Sequence, residues 1–180
     1  MQLASREFRN IALMGFMGTG KTTVGHLLSD LLQFELIDTD RVIELRTGHR
    51  IAEIFAAEHG EATFRKIESE VVRELESATN KVISTGGGTV VNPENLASLK
   101  KHSLLACLWA SPETVFERVR HQQHRPLLNM PNPLATIRKL MLERAPCYRE
   151  ADIIVGVDFR HATEVARNVA KSFRDVTRRR

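Results

Sequence analysis

The stretch NIALMGFMGTGKTTVG, residues 10–25, decides the architecture. Its first five residues form an apolar run that stops at a glycine. Gly15, Gly20, Lys21 and Thr22 then fill the fixed positions of G-x-x-x-x-G-K-[ST]. A helical apolar pattern follows from Lys21 to about Leu32. In such a loop the glycines permit a tight wrap, and the backbone N–H groups converge on phosphate oxygens. The helix N-terminus behind them adds partial positive charge. Lys21 supplies a mobile cation to the β- and γ-phosphates, and Thr22 a hydroxyl to Mg²⁺. A chance match somewhere in a chain of this length is on the order of one in a hundred, before the strand–helix context is counted. The nearest approach to N-K-x-D is NKVI, 80–83, which puts Ile83 where the aspartate belongs. That argues against a guanine-nucleotide switch.

Outward from this loop, apolar runs alternate with helical patterns. FELID (34–38), KVIS (81–84), SLLACLWA (103–110) and DIIVGV (152–157) read as further strands. Residues 40–77 read as helices facing inward with Ile43, Ile51, Ile54, Phe55, Phe64, Ile67, Val71 and Leu75. Ser111 and Pro112 mark a helix start, and a last helix runs from about Ala162 to Phe173. This alternation predicts an α/β fold with a parallel sheet covered on both faces. HQQHRPLLNMPNP, 121–133, has no apolar period and three prolines. A loop that long in a compact domain reads as a lid or as a connector.

The chain has 180 residues, 42% hydrophobic and 27% charged, enough for one domain with a core. No apolar stretch approaches membrane-spanning length, and MQLASREFRN lacks the apolar core of a signal peptide. A cytoplasmic protein is the expectation. Cys107 and Cys147 lack metal-ligand spacing and read as reduced thiols. Net charge is +4. The arginines are scattered rather than clustered, which suits small anionic ligands better than nucleic acid.

A nucleotide loop does not name the acceptor. DTD places Asp38 and Asp40 at the carboxyl end of a strand, where ligands of open α/β sheets bind. Two readings of Asp40 stand side by side: a hydrogen-bond acceptor for an alcohol, or a helix cap. Arg65 and Glu68 share a helix face, which alone reads as a surface pair. Arg125 lies in the long loop, and Arg144 on a helix expected to end near Pro146. Together these arginines suit phosphates and a carboxylate. TGGGTV (85–90) reads either as a tight turn needing positive φ, for which one glycine suffices, or as a floor against which an acceptor lies.

GFMGTGKTTVG, LIDTD, GEATFRKIE, STGGGTV, HRPLL and ERAPCYREAD stand in the order seen in shikimate kinases, and the chain resembles that family from about Asn10 to Phe173. The resemblance implies one kinase domain over 1–180, with its core at about 10–173, an acceptor region at about 40–77 and a mobile lid at about 121–133. It implies a three-layer fold with a five-stranded parallel sheet ordered 2-3-1-4-5. It also implies transfer of the ATP γ-phosphoryl to the 3-hydroxyl of shikimate, with Mg²⁺, in aromatic amino-acid biosynthesis. Gly18, Thr19, Gly20, Lys21, Thr22 and Thr23 match the nucleotide stretch, and Thr22 and Asp38 the metal ligands. Lys21, Asp40 and Arg125 match the catalytic set. Asp40, Arg65, Arg144 and the run Gly86, Gly87, Gly88 match the shikimate site, Gly87 through its main chain. Arg118 matches an arginine stacked on adenine. VDFRHAT departs from the family after the last strand, so either Arg160 or His161 takes the second adenine position. His121 and His124 have no third ligand in view and read as solvated. The expected assembly is a monomer with no nucleic acid or membrane partner. The rivals are a gluconate- or nucleoside-monophosphate-type kinase and a non-catalytic nucleotide-binding protein.

Overall fold

The computed structural model describes residues 6–58, 60–121 and 131–178. Five parallel strands form one sheet: β1 (Asn10–Met14), β2 (Glu35–Asp38), β3 (Lys81–Ser84), β4 (Ser103–Trp109) and β5 (Ile153–Gly156). Their order is β2-β3-β1-β4-β5, as expected. Every residue of β1 is buried, as a central strand covered on both faces requires. β1 pairs with β3 on one side (Ile11 opposite Val82) and β4 on the other (Ile11 opposite Leu104). The chain leaves β1 toward one edge and later crosses to the other. The carboxyl end of β1 is therefore the switch point of the sheet.

Helix α1 (Lys21–Leu32) covers one face through Val24, Gly25 and Leu28. Gly25 is needed for closeness, because a Cβ there would stand 2.8 Å from Leu36 Cδ1. α8 (Ala162–Arg178) packs nearby, with Phe173 edge-on to Phe34 at 5.6 Å. α5 (Pro93–His102), α6 (Pro112–Val119) and α7 (Pro133–Arg149) complete the helices around the main core. α2 (Thr39–Thr47), α3 (Ile51–Ala56) and α4 (Gly60–Glu74) build a separate small cluster of Ile43, Ile54, Phe64 and Val71.

Several boundaries differ from the sequence reading. α5 was unforeseen, although Asn92 caps it by accepting from the Glu94 N–H and Pro93 opens it. α8 runs past Phe173 to Arg178. α7 does not stop near Pro146 but continues to Arg149. The ring removes one intrahelical bond, and burial of Tyr148 beyond it holds the last turn. Phe55 is 39% exposed rather than inward, although its ring lies 4.8 Å from that of Phe64. Ser111 caps α6 as expected, accepting from the Thr114 N–H at 3.2 Å. No helix among the described residues is long and apolar enough to cross a membrane.

Candidate active site

The connections after β1, β2, β3, β4 and β5 all emerge at one end of the sheet, since the strands are parallel. The loop after β1 holds Gly15, Gly18 and Gly20 at positive φ (139°, 72° and 90°). Gly15 has a second constraint: a Cβ would stand 2.4 Å from the Leu108 carbonyl oxygen. Thr19 is buried and its hydroxyl donates to the Phe16 carbonyl at 2.8 Å. Lys21 Nζ donates to the Gly15 and Phe16 carbonyls at 3.0 and 2.9 Å, which lays the ammonium along the loop.

Thr22, in the first turn of α1, meets Asp38, the last residue of β2, its hydroxyl donating to Asp38 Oδ2 at 2.9 Å. Asp38 Oδ1 accepts the Arg41 N–H at 3.4 Å and caps α2. Capping therefore falls to Asp38, and the cap reading of Asp40 is set aside. Asp40, in the first turn of α2, has a buried Oδ1 with no hydrogen-bond partner among the described residues. Burial raises its carboxyl to about 6, the charges of Asp38 and Glu68 push the same way, and Lys21 offsets part of the rise.

The glycine run lies beside these groups. A Cβ on Gly86 would stand 2.8 Å from Asp40 Oδ1. One on Gly88 would stand 2.8 Å from Arg65 Nη2, and one on Gly87 3.3 Å from the Met17 N atom of the phosphate loop. None of the three has positive φ. Space rather than turn geometry requires them, which removes the simple-turn reading. Gly86 and Gly88 thus clear room toward Asp40 and Arg65, while Gly87 backs onto the phosphate loop.

Arg65 donates to Glu68 Oε2 at 2.8 Å. Glu68 is 1% exposed, and its other oxygen accepts the Thr89 hydroxyl at 2.7 Å. The surface-pair reading fails here: a buried carboxylate ties α4 to the glycine segment and aims Arg65. Sequence reasoning missed Glu68 because a spacing of three does not reveal burial. On the other side, Arg144 Nη1 donates to the Gly87 carbonyl at 3.1 Å, with its guanidinium 5.4 Å from the Phe16 ring centroid.

A third group of residues surrounds a cavity of about 350 Å³ lined by Gly18, Thr19, Gly20, Thr23, Arg118 and Arg160, with Val157, Ala162 and Val165 among the apolar lining. Arg118 bridges the walls, donating to the Gly18 and Val157 carbonyls at 3.2 Å each. Arg160 lies on this cavity, whereas the His161 carbonyl caps α8 by accepting from Glu164 and Val165. Arg125 and His124 fall outside the described residues, and His121 is exposed. Among the described residues no three His, Cys, Asp or Glu side chains cluster as metal ligands. Both cysteines are free, and burial pushes the Cys107 thiol up to about 11, which leaves it protonated.

The arrangement offers a phosphate cradle, a paired hydroxyl and carboxylate, a desolvated carboxylate beside Gly86, and two arginines oriented by Glu68 and by the Gly87 carbonyl. The family model for shikimate kinase matches residues 17–174. A shikimate kinase from Thermodesulfovibrio yellowstonii is 42% identical over 165 residues, covering 92% of this chain and 95% of its own length. A solved shikimate kinase from Acinetobacter baumannii in complex with shikimate has a TM-score of 0.88 at 36% identity, covering 93% of this chain and 94% of its own. A gluconokinase from Sinorhizobium meliloti, with a TM-score of 0.59 at 13% identity over 97% of each chain, shares the fold alone. The chain belongs to the shikimate kinase family.

Proposed function

We propose that this chain phosphorylates the 3-hydroxyl of shikimate with ATP, giving shikimate 3-phosphate and ADP for aromatic amino-acid biosynthesis. One observation carries the reading. The desolvated Oδ1 of Asp40, without a hydrogen-bond partner among the described residues, stands beside Gly86, as does Glu68, which holds Arg65. A neutral polyol acceptor needs one such carboxylate for its hydroxyl, and a carboxylated one also needs the arginines.

In this reading Gly18, Thr19, Gly20, Lys21, Thr22 and Thr23 hold the nucleotide phosphates, and Arg118 and Arg160 flank the base. Arg65 and Arg144 hold the acceptor carboxylate, with Gly86, Gly87 and Gly88 beneath its ring. Asp40 orients the 3-hydroxyl and receives its proton as the bond to phosphorus forms. Lys21 turns from the loop carbonyls to the transferring phosphoryl group. Arg125, whose role comes from its place in HRPLL, joins it. Phosphoryl transfer has a loose transition state, so positioning and charge neutralisation dominate. The Thr22–Asp38 pair, a hydroxyl beside a carboxylate at 2.9 Å, offers hard oxygen donors that would hold Mg²⁺. Mg²⁺ there supplies charge neutralisation to the phosphates. The proposed organisation is one domain with an acceptor region at about 40–77 and a lid at about 121–133, acting as a cytoplasmic monomer without nucleic acid.

The test is ADP release coupled to a detector, with shikimate, quinate, gluconate and AMP offered separately. Turnover with shikimate alone, or with shikimate far above quinate, is expected. Turnover with AMP or gluconate but not shikimate overturns the reading.

A further inference from the structure

Two side chains of α7, one turn apart, converge on a single atom. Arg144 Nη1 and Tyr148 Oη both donate to the Gly87 carbonyl oxygen, at 3.1 and 2.8 Å. A spacing of four puts them on one helix face. Tyr148 is 1% exposed and sets its ring edge-on to Trp109, with centroids 6.4 Å apart. Burial pushes the phenol up to about 12, so it remains a donor across the physiological range.

The target of this hydroxyl is unusual. A glycine run has no side chains to pack and loses the most backbone freedom on ordering. Most of its neighbours are held by polar contacts instead: Thr39 Oγ1 accepts the Gly86 N–H at 3.2 Å, and Glu68 accepts the Thr89 hydroxyl. Gly87 is held from the α7 side. Its peptide with Gly88 is planar and trans, so fixing the Gly87 carbonyl fixes the Gly88 N–H in the opposite direction, away from α7. A carbonyl oxygen has two lone pairs, and both donors use it. Arg144 has five N–H donors in a fork, enough to keep this bond while gripping a carboxylate.

We propose that Tyr148 is a positioning residue for the acceptor: its phenol anchors the Gly87 carbonyl and so sets the peptide floor and the Arg144 fork against which shikimate lies. This rests on the function proposed above. The nucleotide cavity after β5 lies on other elements, so the effect falls on one substrate.

Tyr148→Phe keeps the buried ring and removes only the donor. Its shikimate KM and calorimetric shikimate Kd should rise roughly three- to tenfold, the loss expected of one hydrogen bond, with ATP KM and kcat within about twofold. Circular dichroism and thermal melting are run in parallel. Unchanged shikimate binding, or a parallel rise in both KM values, overturns the proposal. A variant that melts at the assay temperature also overturns it, because Tyr148 would then serve the scaffold as a whole. Wild-type enzyme in the same assay separates this from the function itself. Shikimate turnover by wild type with an unaltered variant sinks only the role of Tyr148, whereas no turnover by wild type sinks both.

Discussion

β1, which delivers the phosphate loop, is buried along all five residues, four of them in the large core of the sheet. The helices that carry Asp40 and Arg65 close instead over Ile43, Ile54, Phe64 and Val71, a cluster of four. The phosphate loop is shaped by packing and by glycines with no alternative, such as Gly15 against Leu108. The acceptor half is aimed by hydrogen bonds around the buried Glu68. On the function proposed above, the proposed nucleotide cradle rests on the large core and the proposed acceptor region on the small cluster. The two halves should therefore fail separately.

The largest effect belongs to Asp40. Asp40→Asn keeps the shape of the side chain and removes its charge, and kcat should fall on the order of 10³-fold while ATP affinity holds. Near-normal turnover by the variant would remove Asp40 from the chemistry, and lost ATP binding would erase the separation between halves. Next come the two cores. Leu105→Ala, at a fully buried position of the main core, should cost about 3 kcal/mol in denaturant unfolding and leave both KM values unchanged. Ile54→Ala, 8% exposed in the small cluster, should cost about 2 kcal/mol and raise shikimate KM selectively. Equal effects of Ile54→Ala on ATP and shikimate would show that the acceptor helices are not an independent unit.

The glycines give a finer contrast. In Gly88→Ala the new methyl meets the end of Arg65. The guanidinium must shift, and shikimate KM should rise on the order of tenfold with ATP KM steady. In Gly87→Ala the methyl meets the Met17 backbone at 3.3 Å, a tight contact with the phosphate loop, and ATP KM should rise together with shikimate KM. Steady-state kinetics on both variants reads this directly. The same response from both would mean the run acts as one rigid turn.

Much of this was legible before any coordinates. Strand–helix alternation implies a parallel sheet, and the glycine loop after the first strand locates its switch point. The order of the strands came through family resemblance, since alternation alone does not choose it. Burial was what the sequence concealed. PENLASLKKH (93–102) has little apolar period, so only Asn92 and Pro93 signal α5. Arg65–Glu68 has the spacing of a surface pair, and only the packing of Thr89 against Glu68 shows that the carboxylate is enclosed. Either aspartate of DTD fits a helix cap. Asp38 takes that place because β2 ends on it, leaving Asp40 inside the first turn. Tyr148 lies beyond a proline that reads as a stop.

Stability against pH tests the environment of Asp40 rather than its chemistry. Its folded carboxyl sits at about 6 against an ordinary 3.8, so the folded state binds this proton more tightly than the unfolded chain does. Below about pH 4 both states are protonated, and the group contributes no difference. As pH rises from about 4 to 6 the unfolded chain loses the proton first, and the stability contributed by Asp40 declines. Above about 6 the cost is constant, on the order of 3 kcal/mol before discounting for partial solvent access and less after it. Asp40→Asn, which has no proton to lose, should therefore be more stable than wild type at pH 8 and about equal at pH 4, as read by denaturant midpoints. A gain of the same size at both pH values would mean that shape rather than charge was relieved. That result would remove the raised pKa that links Asp40 to its burial and to the charges of Asp38 and Glu68. If the raised value stands, kcat/KM for shikimate should climb through about pH 6, because this profile reports the free enzyme. The same desolvation that costs stability would then supply the basic carboxylate that the role proposed for Asp40 calls for.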